Sequence, residues 1–154
     1  MVDPIRLNVE RAAGDAASVT ARGGSGRPRL LLIDDELSVA RFLAHAAEEC
    51  GYEAIVTVTA ESFRAQYVTA DPAVVVVDLA LPRSDGVELL RFLAEHRCEA
   101  LVLIISGFDA RVLDAAMRLG TAFGLRMAGP LSKPVRLQAL MEAIGQAGKE
   151  AAAS

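Results

Sequence analysis

From Arg29 onward, short apolar runs alternate with longer stretches in which apolar residues recur every three or four positions. The run at 29–33 predicts a buried strand that ends in acids. Val39, Phe42, Leu43, Ala46 and Ala47 then fall at helical spacing, predicting a helix over 36–50 that stops at Gly51. The same reading predicts strands at 53–57, 73–77, 100–105 and 126–131, the last less regular, and helices at 60–68, 86–96, 109–119 and 135–144. In the third helix Val87, Leu89, Leu90 and Leu93 face inward. Val74 to Val77 form an unbroken valine run, apolar on both faces, as expected of a central strand in a parallel sheet covered on both sides.

Five strand–helix repeats of this length imply an open α/β sheet wound in both directions, because parallel strands need crossovers and those crossovers are right-handed. Ligands of such sheets sit at the carboxyl ends of the strands, where the winding reverses. The functional question therefore narrows to what those ends hold.

Composition narrows it further. The 154 residues fit one domain of about 150 residues. The reading divides them into an N-terminal tail at 1–28, a folded unit at 29–147 and a C-terminal tail at 148–154. With 53% hydrophobic residues the chain is not disordered as a whole. A net charge of −4 and no basic block argue against nucleic acid as a direct partner. No apolar run approaches the roughly 20 residues of a membrane span. Cys50 and Cys98 make neither a disulfide framework nor a metal spacing, and the first residues lack an apolar signal segment. The expectation is a cytoplasmic protein with reduced thiols.

The first strand ends in Asp34-Asp35-Glu36, the third in Asp78, the fourth in Ser106-Gly107, and Lys133-Pro134 follows the fifth. One acid after a strand often caps the next helix. If the first and third strands are neighbours, however, Asp34, Asp35 and Asp78 crowd together. Two carboxylates 4 Å apart repel by about 4 kcal/mol at an effective dielectric of 20. A hard divalent cation with oxygen ligands relieves that repulsion, and Mg2+ suits a small carboxylate set. Lys133 stands out because only two of the 16 basic residues are lysines. A compact ammonium on a flexible stem suits a phosphoryl oxygen. Ser106 offers a hydroxyl donor, and Gly107 allows close backbone approach.

The stretches Leu31-Leu32-Ile33-Asp34-Asp35-Glu36, Val76-Val77-Asp78-Leu79-Ala80-Leu81-Pro82-Arg83-Ser84-Asp85-Gly86, Ile105-Ser106-Gly107 and Leu131-Ser132-Lys133-Pro134 stand in one order along 29–146. Together they resemble the receiver domain of bacterial two-component response regulators. The resemblance implies a flavodoxin-like (βα)5 fold with sheet order 2-1-3-4-5 and an aspartate phosphorylated by a histidine kinase or phosphotransfer protein. It implies that Asp78 is the phosphoacceptor. Asp35 and Asp78 would ligate Mg2+ with the backbone carbonyl of Ala80, and Asp34 would act mainly through water. Ser106 and Lys133 would bind the phosphoryl oxygens.

The resemblance also places Pro130 where the family usually has a switch aromatic, with Phe123 and Phe108 as candidate substitutes. Ala80 and Phe108 occupy positions that tune dephosphorylation. The apolar stretch 120–131 is similar to receiver variants found ahead of EAL-type cyclic-di-GMP phosphodiesterase domains. The leading expectation is a stand-alone receiver in a phosphorelay, signalling through a downstream protein, with a homodimer as one form of that output.

Two other functions compete with it. One is a degenerate receiver that binds partners independently of phosphorylation, motivated by Pro130. The other is a small-molecule phosphatase with Asp78 as nucleophile, ranked lower because Ala80 stands where such enzymes place a second acid. FMN binding lacks its Ser/Thr/Gly-rich loop after the first strand. His45 and His96 read as helix-surface histidines, Phe42, Phe63 and Phe92 as core, and Arg111, Arg118 and Arg126 as a solvated or partner-facing set.

Overall fold

The computed structural model describes residues 26–81, 86–107 and 109–153. Most of the expected N-terminal tail (1–25), the Pro82–Asp85 part of the second motif and Phe108 lie outside the described residues.

Among the described residues five strands, β1 (Arg29–Ile33), β2 (Glu53–Thr57), β3 (Val74–Asp78), β4 (Leu101–Ser106) and β5 (Arg126–Ser132), alternate with five helices. The helices are α1 (Leu37–Glu49), α2 (Ala60–Ala70), α3 (Gly86–Glu95), α4 (Ala110–Ala122) and α5 (Leu137–Ala153). All strand pairs are parallel, in the order β2-β1-β3-β4-β5, so the doubly wound flavodoxin-like sheet expected from the sequence is the observed one.

The apolar strand runs are explained by two cores rather than one. Successive side chains on a strand point to opposite faces. Leu30, Leu32, Val74, Val76, Leu103 and Ile105 accordingly pack with α1 and α5. Leu31, Ile33, Val75, Val77, Val102 and Ile104 pack with α2, α3 and α4. A polar residue in the middle of β1 or β3 would be buried whichever way it pointed.

Helix starts follow local chemistry. Thr59 caps α2 by accepting from the Ser62 N–H at 3.1 Å, and Asp109 caps α4 by accepting from the Arg111 and Val112 N–H groups. Each satisfies backbone donors that have no partner inside the helix. Gly86 opens α3 against β3, and a Cβ there would come within 2.6 Å of the Leu79 Cα. Only glycine permits that approach.

Three sequence expectations shift. Phe42 is 37% exposed, and the buried face of α1 is built instead from Ala40, Leu43, Ala44, Ala46 and Ala47. Five close-packed small or branched side chains let α1 sit near the sheet and leave no room for a phenyl ring. Val87 is only partly buried, because the α4 side chains facing it are small. The last helix spans Leu137–Ala153, beyond the 135–144 expected for it. The fifth strand is less regular, as expected: its register against β4 shifts between Leu103 and Ile105. Gly129 adopts φ +86° there, with Leu103 and the Ile104 carbonyl so close that a side chain would not fit.

Candidate functional site

The carboxyl ends of β1, β3, β4 and β5 meet at one edge of the sheet. Pairing Ile33 with Val77 and Asp78 with Ile105 brings the residues after β1, at the end of β3 and at the end of β4 side by side. Carboxylate oxygens of Asp34, Asp35 and Asp78 lie within 4.8 Å of one another. Asp34 and Asp78 are buried, and Asp35 is exposed.

Both buried aspartates also fold the turns they start. Asp34 Oδ1 accepts from the Glu36 N–H at 2.9 Å, and Asp78 Oδ1 accepts from the Ala80 N–H at 3.0 Å. The ordinary turn chemistry of a strand-end acid and the clustering of acids are therefore both present. One oxygen of each carboxylate holds the loop, and the other points into the site.

Lys133 reaches those second oxygens. Its Nζ lies 3.1 Å from Asp34 Oδ2, 3.1 Å from Asp78 Oδ2 and 3.1 Å from Glu36 Oε1. It donates well-directed hydrogen bonds to Glu36 and Asp78. The approach to Asp34 is an ion pair off the hydrogen-bond direction, so buried Asp34 Oδ2 keeps an unsatisfied acceptor. The Lys133 N–H donates to the Ser106 carbonyl at 3.0 Å, which ties the lysine to the end of β4. Ser106 is itself buried, opposite Ser132.

The electrostatics follow from this crowding. Burial pushes Asp34 up from its ordinary 3.8 to about 6, with the Asp78 charge adding to the rise. The Glu36 N–H and the Lys133 ammonium act against it. For Lys133, burial alone would lower the pKa. Its close contacts with the Glu36, Asp34 and Asp78 carboxylates outweigh that and hold it above its usual value. Four acids, Asp34, Asp35, Glu36 and Asp78, thus face one lysine, and the site has room for more positive charge.

The residues fit a hard divalent cation on two observations: all the donors are oxygens, and a buried oxygen of Asp34 lacks a hydrogen bond. Of the residues expected at the site, Asp34, Asp35, Asp78 and Lys133 come together directly, and Ser106 joins through its carbonyl. Ala80 touches Asp78 through its N–H, whereas the expected contribution was its carbonyl. Glu36 was quoted as a strand-end acid but given no role; its reach to Lys133 depends on the start of α1, where the Glu36 carbonyl accepts the Ala40 N–H.

Other candidates lie elsewhere. His45 pairs with Glu49 on the α1 surface at 3.4 Å. The His96 ring sits 4.1 Å from that of Phe92, and Arg118 pairs with Asp114. Phe123 follows α4, under Arg91, and Pro130 is exposed on β5. Among the described residues no helix is long and apolar enough to cross a membrane. Cys50 and Cys98 are free thiols.

Comparison with known proteins gives a consistent result. Photosynthetic apparatus regulatory protein RegA of Rhodobacter capsulatus is 34% identical over 98 residues, 63% of this chain and 53% of RegA. Response regulator receiver protein CpdR of Brucella abortus is 29% identical over 116 residues, 75% of this chain and 92% of CpdR. The chain spans about half the length of RegA, and the same holds for the alkaline phosphatase synthesis regulator PhoP of Bacillus subtilis, at 52%. A response regulator from Colwellia psychrerythraea superposes with a TM-score of 0.71 at 25% identity, over 81% of this chain and 99% of that one. The family profile described as the response regulator receiver domain matches residues 30–145. That match starts in β1 and ends within α5, touching every element of the fold: the chain belongs to the response regulator receiver domain family.

Proposed function

We propose that this protein accepts a phosphoryl group on Asp78 from a histidine kinase or a phosphotransfer protein and passes the signal to a downstream protein. The observation that carries the reading is the Lys133 ammonium, 3.1 Å from the free oxygens of both Asp34 and Asp78. A fixed cation beside a carboxylate is what a transferring phosphoryl group requires.

In the transfer, an Asp78 carboxylate oxygen forms a bond to phosphorus as the phosphorus–nitrogen bond of the donor phosphohistidine breaks. The electron pair stays on the departing imidazole nitrogen. Lys133 turns its donors from Glu36 and Asp78 to a phosphoryl oxygen, and the Ser106 hydroxyl donates to another. Asp34, Asp35, Asp78 and the Ala80 carbonyl are the groups that would hold Mg2+. When bound, Mg2+ neutralises charge on the phosphoryl oxygens. The added phosphoryl charge of roughly −1.5 to −2 then favours one of two packings of the surrounding loops. We take 29–147 as the receiver unit and place it in the cytoplasm, where its kinase or phosphotransfer partner and downstream protein act.

Labelling tests this. After incubation with phosphoramidate and Mg2+, intact-mass spectrometry detects one phosphoryl adduct in the wild type and none in Asp78→Asn. No adduct, or equal adducts in both, overturns the reading.

A second reading has its own observation. β5 presents Pro130 where a ring would swing, so binding to a partner could proceed without a phosphorylation switch. Partner affinity unchanged by beryllofluoride favours that reading.

A further inference from the structure

Beside Asp78, α3 and α4 do not close on each other. Gly86 seats the start of α3 tightly on Leu79. On α4 the middle of the facing stretch is small, Ala115 and Ala116, and a groove of about 380 Å3 remains there. Its lining is Leu79, Val87, Val112, Ala115, Ala116 and Leu119, with Arg111 as the only charged member. Val112 is 44% exposed, a β-branched side chain left at the surface of a helix. At the other end of the helix pair Arg91 covers the Phe123 ring at 6.0 Å.

The groove thus has an apolar floor and a cation at its mouth. Among the described residues the Arg111 guanidinium has no ion pair, whereas Arg118 two turns on is paired with Asp114. From Arg111 to Leu119 the helix rises about 12 Å, the reach of a medium-length alkyl chain. The size and make-up match small-molecule sites, which are mostly apolar with a few polar groups that orient the ligand.

We propose that this groove binds a single-chain amphiphile with an anionic head, its alkyl chain between α3 and α4 and its head on Arg111. The occupant is fixed by charge and length. A neutral or cationic head would leave the guanidinium unanswered, and the run of lining residues from Arg111 to Leu119 sets the chain length.

The test uses the full-length protein and decanoate as the probe, followed by backbone amide NMR. Decanoate is expected to saturate with a dissociation constant on the order of 1 mM, the strength expected for a ligand of its size. Its shifts should centre on Val87, Val112, Ala115 and Leu119. Arg111→Gln should weaken it about tenfold, the loss of one charge-assisted contact, and Ala115→Trp, which fills the groove from an exposed position, should abolish binding. Decyl phosphate separates a phosphate-headed source from a carboxylate-headed one, and tighter binding by either identifies the head. Decanol and decylamine should bind at least tenfold more weakly. Absence of saturation, shifts centred elsewhere, or equal affinity in wild type and Arg111→Gln overturns the proposal. Arg111→Gln alters an exposed side chain, so this last comparison stands even if Ala115→Trp fails to fold.

Discussion

Replacing Asp34 with asparagine removes a carboxylate that the fold holds at a cost. The side chain is fully buried and raised from 3.8 to about 6. Relative to a neutral group of the same shape, the ionised form therefore weakens the fold by about 3 kcal/mol. Asparagine keeps the acceptor for the Glu36 N–H and leaves Lys133 paired with Glu36 and Asp78. Its amide N–H would face the ammonium, so the expected gain at neutral pH, without divalent cations, is about 1–3 kcal/mol.

The pH dependence fixes the cause. Asp34 binds its proton more tightly in the folded chain than in the unfolded one. Its contribution is therefore favourable below 3.8 and is lost as pH rises to about 6. Wild type and Asp34→Asn should have nearly equal stability near pH 4, separate through that window and run parallel above it. Urea unfolding followed by circular dichroism, with chelator present, should show midpoints about 1–2 M apart at neutral pH. A less stable variant at neutral pH, or a gap of the same size near pH 4, refutes the reasoning.

Two further substitutions probe the frame around the site. The Tyr52 hydroxyl donates to the Ile144 carbonyl at 2.6 Å and ties α5 to the start of β2; Tyr52→Phe should cost about 1 kcal/mol in thermal unfolding, with no change in phosphoryl labelling. Gly86→Ala drives a Cβ to 2.6 Å from the Leu79 Cα. It should cost about 1–3 kcal/mol and, because Leu79 adjoins Asp78, slow labelling by phosphoramidate as well.

Much of this architecture was legible in the sequence because strands covered on both faces leave no choice of residue. Arg29-Leu30-Leu31-Leu32-Ile33 and Val74 to Val77 announce buried strands without help from tertiary context. The strand-end acids and the lone lysine before Pro134 marked the site for the same reason: each interrupts a pattern that otherwise has a simple explanation.

What stayed hidden depends on distances between elements. Nothing in helical spacing tells that alanines rather than Phe42 form the inner face of α1, because that follows from how near α1 lies to the sheet. The left-handed Gly129 and the shifted β5 register arise from pairing with β4, which no local signal encodes. Glu36 looked like a third acid in a row, and only the position of Lys133 on another strand end gives it a partner. The groove between α3 and α4 was equally invisible, since Ala115 and Ala116 are ordinary helix residues until something fails to pack against them.

The most direct test of the phosphoryl site is fluorine NMR of the protein with beryllofluoride, which binds where a phosphoryl group would sit on a carboxylate. The account predicts bound fluoride signals that require Mg2+, disappear in Asp78→Asn and weaken in Lys133→Met. Bound signals that persist in Asp78→Asn, or none in the wild type with Mg2+ present, would contradict it.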